Sequence, residues 1–200
     1  MKAFKYIIIL FISGCTYHTV NIKSQSKRYE DIKNNNICSL ELLNESKSIS
    51  DSRAVKYVEK ILKNIGVVLS SKETEINCKI VFSYGLKSYT HQVTQSNSKA
   101  NYDDGYFTQY EGRYTGSSSI SKTYNVTDYN KWLYITAVDL NNNELWNIIT
   151  SIYDSSNDID SYLPILACSA MNYIPTNTNT SIKITGKDEE NMLNFMLSNN

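Results

Sequence analysis

The segment DSRAVKYVEKILKNIG, Asp51 to Gly66, decides how the rest of the chain is read. Ala54, Val55, Val58, Ile61, Leu62 and Ile65 recur at the helical period and draw one apolar stripe, which predicts a helix over 51–65 with one buried face. Ser50 is placed to cap its start, where Asp51 suits the positive end of the dipole. Lys60 and Lys63 suit the other end, and Gly66 can take the left-handed cap. A helix lying on a membrane is disfavoured, because the stripe lacks Trp and Phe and the polar face carries both charges. The period then changes. Ile76, Cys78, Ile80, Phe82 and Tyr84 alternate with Asn77, Lys79, Val81 and Ser83, the pattern of a half-buried strand.

Further downstream, 132–140 and 144–153 are β-rich runs joined by Asn141-Asn142-Asn143, whose tolerance of positive φ predicts an antiparallel hairpin. Residues 162–173 read as a second helix, with Leu163, Leu166, Ala167 and Ala170 inward, Pro164 in the first turn and Pro175 past the end. Asp158 and Asp160 read as the approach to that helix rather than as an acid and base pair. An edge strand is expected over 180–185 and a short terminal helix over 188–197. Upstream, 37–43 reads as a strand. The expected fold is therefore α+β: an antiparallel sheet of about five to six strands with two helices packed on one face, in a single domain over 37–200.

Residues 86–128 are less ordinary. The stretch is turn-rich, and Tyr102, Tyr106, Tyr110 and Tyr114 recur at a spacing of four, while Gly105 and Gly112 argue against a helix. Long strands or a hairpin with a mobile tip are expected. The four tyrosines are a candidate contact surface for glycan or protein, since Tyr offers large amphipathic contact area at small entropic cost. Cross-strand ring packing is the plainer explanation. Asp103-Asp104-Gly105 lacks the remaining ligands of a calcium loop and reads as a turn.

At the other end of the chain, Lys2 and Lys5 precede an apolar run over 6–12 and the pattern Ile12-Ser13-Gly14-Cys15. The run is far shorter than the roughly 20 residues of a spanning helix. Residues 1–14 read as a lipoprotein signal cut between Gly14 and Cys15, with Cys15 carrying the lipid. Two or three acyl chains, each CH₂ contributing about 0.8 kcal/mol on burial, hold a protein firmly. Residues 15–36, polar and without apolar periodicity, read as a lipidated N-terminus and flexible tether that includes His18.

About 185 mature residues suffice to bury a core without staples. Lys and Arg balance Asp and Glu at 20 each, so no basic field for nucleic acid exists. Cys38, Cys78 and Cys168 remain after lipidation. In an oxidising compartment one disulfide and one buried thiol are expected; three pairings are open, and Cys38 with Cys78 is the one taken. Three unpaired buried cysteines are the alternative. Their wide spacing and only two histidines, His18 and His91, argue against a metal site. No phosphate loop, nucleophile elbow or paired catalytic residues appear, so no cofactor, metal or enzymatic activity is expected.

Glu144-Leu145-Trp146 through Asp158, then Ser161-Tyr162-Leu163-Pro164 with Ala167, Ala170 and Met171-Asn172-Tyr173-Ile174, resemble a family of small proteobacterial lipoproteins classed as a domain of unknown function. The resemblance covers roughly 50–180 and lies in the order of parts. It implies an envelope location more than an activity. Thr16 in place of Asp, by resemblance to Gram-negative lipoproteins, implies export to the outer membrane, and the periplasmic side is the one expected. The expected role is a non-enzymatic envelope binding or assembly factor, held to the membrane through Cys15, with an envelope protein or peptidoglycan as partner. A surface-displayed or secretion-system accessory lipoprotein and a cell-wall glycan or lipid hydrolase are the alternatives. Growth with radioactive palmitate checks the anchor: label is expected on the wild-type protein and absent from Cys15→Ser, and an unlabelled wild type ends the lipoprotein reading.

Overall fold

In a computed structural model, residues 17–26, 37–43, 48–72, 75–98, 119–174 and 176–198 are described, the side chains of 96–98 and 119–120 excepted. The elements run β1 (Tyr17–Ser26), β2 (Ile37–Leu42), α1 (Ile49–Asn64), β3 (Val68–Leu69), β4 (Cys78–Ser98), β5 (Ser119–Asp139), β6 (Glu144–Asp154), α2 (Leu163–Met171), β7 (Thr178–Thr185) and α3 (Gly186–Leu197). The strands form one sheet in the order β3-β2-β4-β5-β6-β1-β7. The α+β class expected from the sequence is observed. The element count is corrected, to seven strands and three helices among the described residues. The sheet is mixed, since β2 lies parallel to both β3 and β4. Parallel neighbours need a crossover, which α1 supplies.

The tether expectation is also corrected. Residues 17–26 form an internal strand, with β6 on one side and β7 on the other, both antiparallel. Val20, Ile22 and Ser24 point into the core while Asn21, Lys23 and Gln25 face out. Only two apolar side chains carry that alternation, because Ser24 holds the third inward place by donating to the Thr176 carbonyl at 2.6 Å.

Strand alternation builds one continuous buried face. Val20, Ile22, Ile152, Ile148, Leu133, Ile135, Phe82 and Ile80 all project from it into the core. Each such side chain contributes about 1.5–3 kcal/mol by leaving water. All three helices contribute to that core, with α2 packed between α1 and α3 and lying over β6, β5 and β1. Every residue from Leu163 to Ala170 is buried, so α2 is the central rod rather than an amphipathic surface helix. The stripe of α1 is as expected, but its cap is Ser48 rather than Ser50. The Ser48 hydroxyl accepts from the Asp51 N–H and the Asp51 carboxylate accepts from the Ser48 N–H, a reciprocal pair that starts the helix earlier. Gly66 follows with φ at +88°, a left-handed conformation that suits glycine. The β5–β6 hairpin turns through Asn142 at φ +62°, and Asp139 accepts from the Asn141 and Asn143 N–H groups, both at 2.8 Å.

At the β2–β4 pair, Cys38 stands directly opposite Cys78. Their sulfurs are bonded, with Cα atoms 4.5 Å apart across a separation of 40 residues. Cys168 is free and buried on α2. Closing a loop of this size restricts the unfolded chain. Replacing Cys38 and Cys78 together with Ser is expected to cost about 2–4 kcal/mol, read as a lower urea midpoint that reductant no longer shifts.

Candidate functional site

Most of the site residues named from the sequence lie outside the described residues: Gly14, Cys15, Tyr102, Tyr106, Tyr110 and Tyr114. Two features of the described structure stand out instead, and both belong to the same end of the sheet.

The first is an ionisable cluster. Lys131 falls in phase with Leu133, Ile135 and Ala137 along β5, so alternation turns its side chain into the core, where it is fully buried. Its ammonium is paired with the Asp154 carboxylate and sits 4.3 Å from the centre of the Tyr162 ring. Asp154 Oδ1 also accepts from the Ser156 N–H at 2.8 Å. Its other oxygen lies 3.8 Å from His18 Nδ1, and His18 Nε2 is 3.9 Å from Glu189. The His18 ring meets Tyr162 edge-on at 5.2 Å. Strands β1, β5 and β6, the start of α2 and the start of α3 therefore converge on one knot.

Desolvation pushes the Asp154 carboxyl upward, but hydrogen bonds from Lys131, Tyr162 and the Ser156 backbone together outweigh it and hold the group below the usual carboxylate range. Tyr162 is raised, by burial first and then by its hydrogen bond to Asp154 and that carboxylate's charge. Beside this knot, the Tyr84 hydroxyl donates to buried Asp51 at 2.7 Å, and burial together with Asp51 pushes it up to about 12. Ser50 donates to Asp160 at 2.9 Å, tying α1 to the segment before α2. Asp158 accepts from the Ser161 N–H and Asp160 lies 3.9 Å from Arg53, both carboxylates sitting just ahead of α2. Lys131 with Asp154, Tyr84 with Asp51 and Ser50 with Asp160 each tie two elements together, while Asp154 Oδ2 and Asp160 Oδ1 are buried without a hydrogen bond.

The second feature is an arm. The β5–β6 ladder ends at Tyr129↔Asp154 and the β2–β4 ladder at Leu42↔Phe82. Among the described residues the β4–β5 pairing runs on alone, and its last ten pairs, Tyr89↔Asp128 to Ser98↔Ser119, extend about 30 Å at strand rise. The long strands expected within 86–128 are thus present up to Ser98 and from Ser119; the remainder lies outside the described residues. One side of the arm is polar, with Thr90 bonded to Thr127 at 3.0 Å and Thr94 to Thr123 at 3.2 Å. The other carries Tyr89, Val93, Tyr124 and Val126, and His91 there faces Asp128 at 3.7 Å. This second side continues the helix-free face of the sheet. Trp132 lies on that face over Gly85, where an added Cβ would come within 2.8 Å of the indole. Tyr153 packs on Tyr89 with ring centres 6.0 Å apart.

Sequence reasoning missed the cluster because its members come from five elements with no fixed spacing. The one available signal was Lys131, a cation at an inward position of a strand. His18 is corrected from tether to strand, and His91 sits in β4. Cys168 is buried on α2, where burial, opposed by the Lys60 charge, pushes its thiol up to about 12. Among the described residues, no group of three or more His, Cys, Asp or Glu side chains is arranged to hold a metal, and no helix is long and apolar enough to cross a membrane.

In architecture, the chain is similar to two solved proteins. The first is a PDZ domain protein from Parabacteroides distasonis, at 12% identity and a TM-score of 0.43 over 84% of this chain. The second is a dodecameric PelC variant from Paraburkholderia phytofirmans, at 8% identity and 0.42 over 80% of this chain. The chain spans 39% of the length of the first and 99% of the second. These distant likenesses carry no inference about function. No protein-family model matches the chain, and no curated protein does.

Removing Lys131 should expose what the knot contributes. Lys131→Met leaves Asp154 with a buried side and no cation, at an expected cost of about 2–3 kcal/mol at neutral pH, below that of a fully enclosed pair. Because the folded state holds Asp154 below its ordinary value of about 3.9, its contribution is present above that value and lost as pH falls through the folded one. Urea midpoints of the wild type should therefore drop more steeply below about pH 4 than those of Lys131→Met.

Proposed function

We propose that the chain is a non-enzymatic lipoprotein of the outer membrane, facing the periplasm, that binds an envelope partner through its long β-arm. The observation that carries this reading is the arm itself. A two-stranded ribbon is marginal in water and buries nothing for the core. Among the described residues no strand pairs with either edge beyond Tyr129, so both edges present N–H and C=O groups that are templates for an added strand from another protein. Its described stretch has no Pro or Gly and carries few charges, the devices that usually blunt an exposed edge. An extended segment of an envelope protein fits such an edge, gaining backbone hydrogen bonds along its length.

The Cys38–Cys78 disulfide supports an oxidising compartment. The ionisable belt joins strand ends to helix starts, with Lys131 on Asp154, Tyr84 on Asp51 and Ser50 on Asp160, which supports a structural role for it and leaves binding to the arm. A lipid at Cys15 raises local concentration, so that modest affinity at the arm is enough.

Deleting 89–128 and joining Ser88 to Tyr129 through an Asn-Gly turn tests the proposal. The shortened protein is expected to keep a cooperative unfolding transition, because none of the described residues removed belongs to the core, and to lose the partner captured by crosslinking in intact cells. Undiminished capture by the shortened protein would refute the arm as the binding element.

A further inference from the structure

We infer that the helix-free face of the sheet, with the aromatic side of the arm, rests on the surface of a lipid bilayer containing anionic headgroups. This rests on the lipid-anchored reading, and the starting point is distance along the chain. Cys15 is two residues from Tyr17, where β1 begins, so the anchor can stand no more than about 7 Å from the sheet. The N-terminal tether that would let the body stand away from the membrane is replaced by a strand.

Topology then fixes which end is held. β1 runs antiparallel to β6, with Val20 opposite Ile152 and Ser26 opposite Trp146. Tyr17 is therefore at the end where β6 finishes at Asp154, opposite Tyr129, and where the arm leaves the sheet. Anchor and arm share one end. The arm cannot run on into hydrocarbon, because a ribbon with two open edges has backbone groups that lipid cannot satisfy. It must lie along the surface.

Side chains decide which side faces down. Tyr17 is 56% exposed on the helix-free face beside the anchor, with the Lys183 ammonium 4.9 Å from its ring centre. Tyr89 at 41%, Tyr153 at 52%, Val93 at 42% and Tyr124 at 49% continue that face outward. Tyrosine suits the headgroup level, where an apolar ring and a polar hydroxyl are both satisfied. Lys23, Lys87, Lys122 and Lys183 stand on the same face. Its acids are fewer: Lys79 pairs with Glu41, His91 faces Asp128, and Glu144 lies at the far end. Basic groups near an anionic surface add to the attraction. The opposite side of the arm, with its bonded threonines, is the one left to water, and the edges stay open for a partner.

Adjacent rungs of the arm provide the test. Val93 pairs with Tyr124 on the aromatic side, and Thr94 with Thr123 on the polar side. Cysteine introduced singly at each position takes a nitroxide alone, because Cys38 and Cys78 are bonded, Cys168 is buried and Cys15 would carry lipid. The protein purified from membranes is reconstituted into vesicles of phosphatidylethanolamine and phosphatidylglycerol. Labels at Val93→Cys and Tyr124→Cys are expected to show a several-fold higher ratio of oxygen to nickel-complex collisions than those at Thr94→Cys and Thr123→Cys. Protein that stays with the vesicles but shows equal, aqueous ratios on both sides overturns this inference and leaves the anchor intact. Protein that does not stay with the vesicles overturns the anchor, and the inference with it.

Discussion

The slot between β6 and β7 is the constraint on which the fold depends. These two strands point the same way, and α2 crosses from one to the other without pairing them. Only β1 joins them, with one ladder to β6 from Val20↔Ile152 to Ser26↔Trp146 and another to β7 from Tyr17↔Thr185 to Ser24↔Thr178. Without it, β7 and α3 would have no sheet to extend, and β6 would become a bare edge under the most buried helix of the protein. A ten-residue strand thus sets the width of the sheet and gives α2 its floor.

The ionisable belt closes the same end of the slot. Lys131 would be costly in an apolar interior, and its cost is offset by Asp154 and by the face of Tyr162. His18 carries the contact from β1 to the first turn of α3. Core packing sets how the helices lie on the sheet, and this belt fixes where each helix begins relative to the strand ends. Ser48, Asp51 and Tyr84 do the same for α1.

Much of the architecture was legible wherever one period dominated. The α1 stripe, the β4 alternation at 78–84 and the Asn-rich hairpin each followed from a local pattern strong enough to name the element and its buried side. The second helix was legible as a helix but not as a fully buried one, because its surroundings come from elsewhere in the chain. β1 was missed for a physical reason. A strand whose inward residues include His18 and Ser24 has little apolar signal, and the groups these face, Asp154 and Glu189 beside His18 and the Thr176 carbonyl bonded to Ser24, are all distant in sequence. The cluster around Lys131 was hidden for the same reason. The Cys38–Cys78 bond lies between adjacent strands that only the crossover through α1 brings together.

The position of β1 also dictates the order in which the molecule can assemble. The strands β4, β5 and β6 pair with near neighbours in the chain and can form early. The first strand must wait for the last, since Ser24 finds Thr176 across 152 residues. Contacts of such separation form slowly, because the whole intervening loop must be ordered before they repay the loss of freedom. A chain made N-terminus first therefore carries its opening strand unpaired until β6 and β7 have been made. Closure of the sheet on that side waits for β7, which only α3 follows among the described elements.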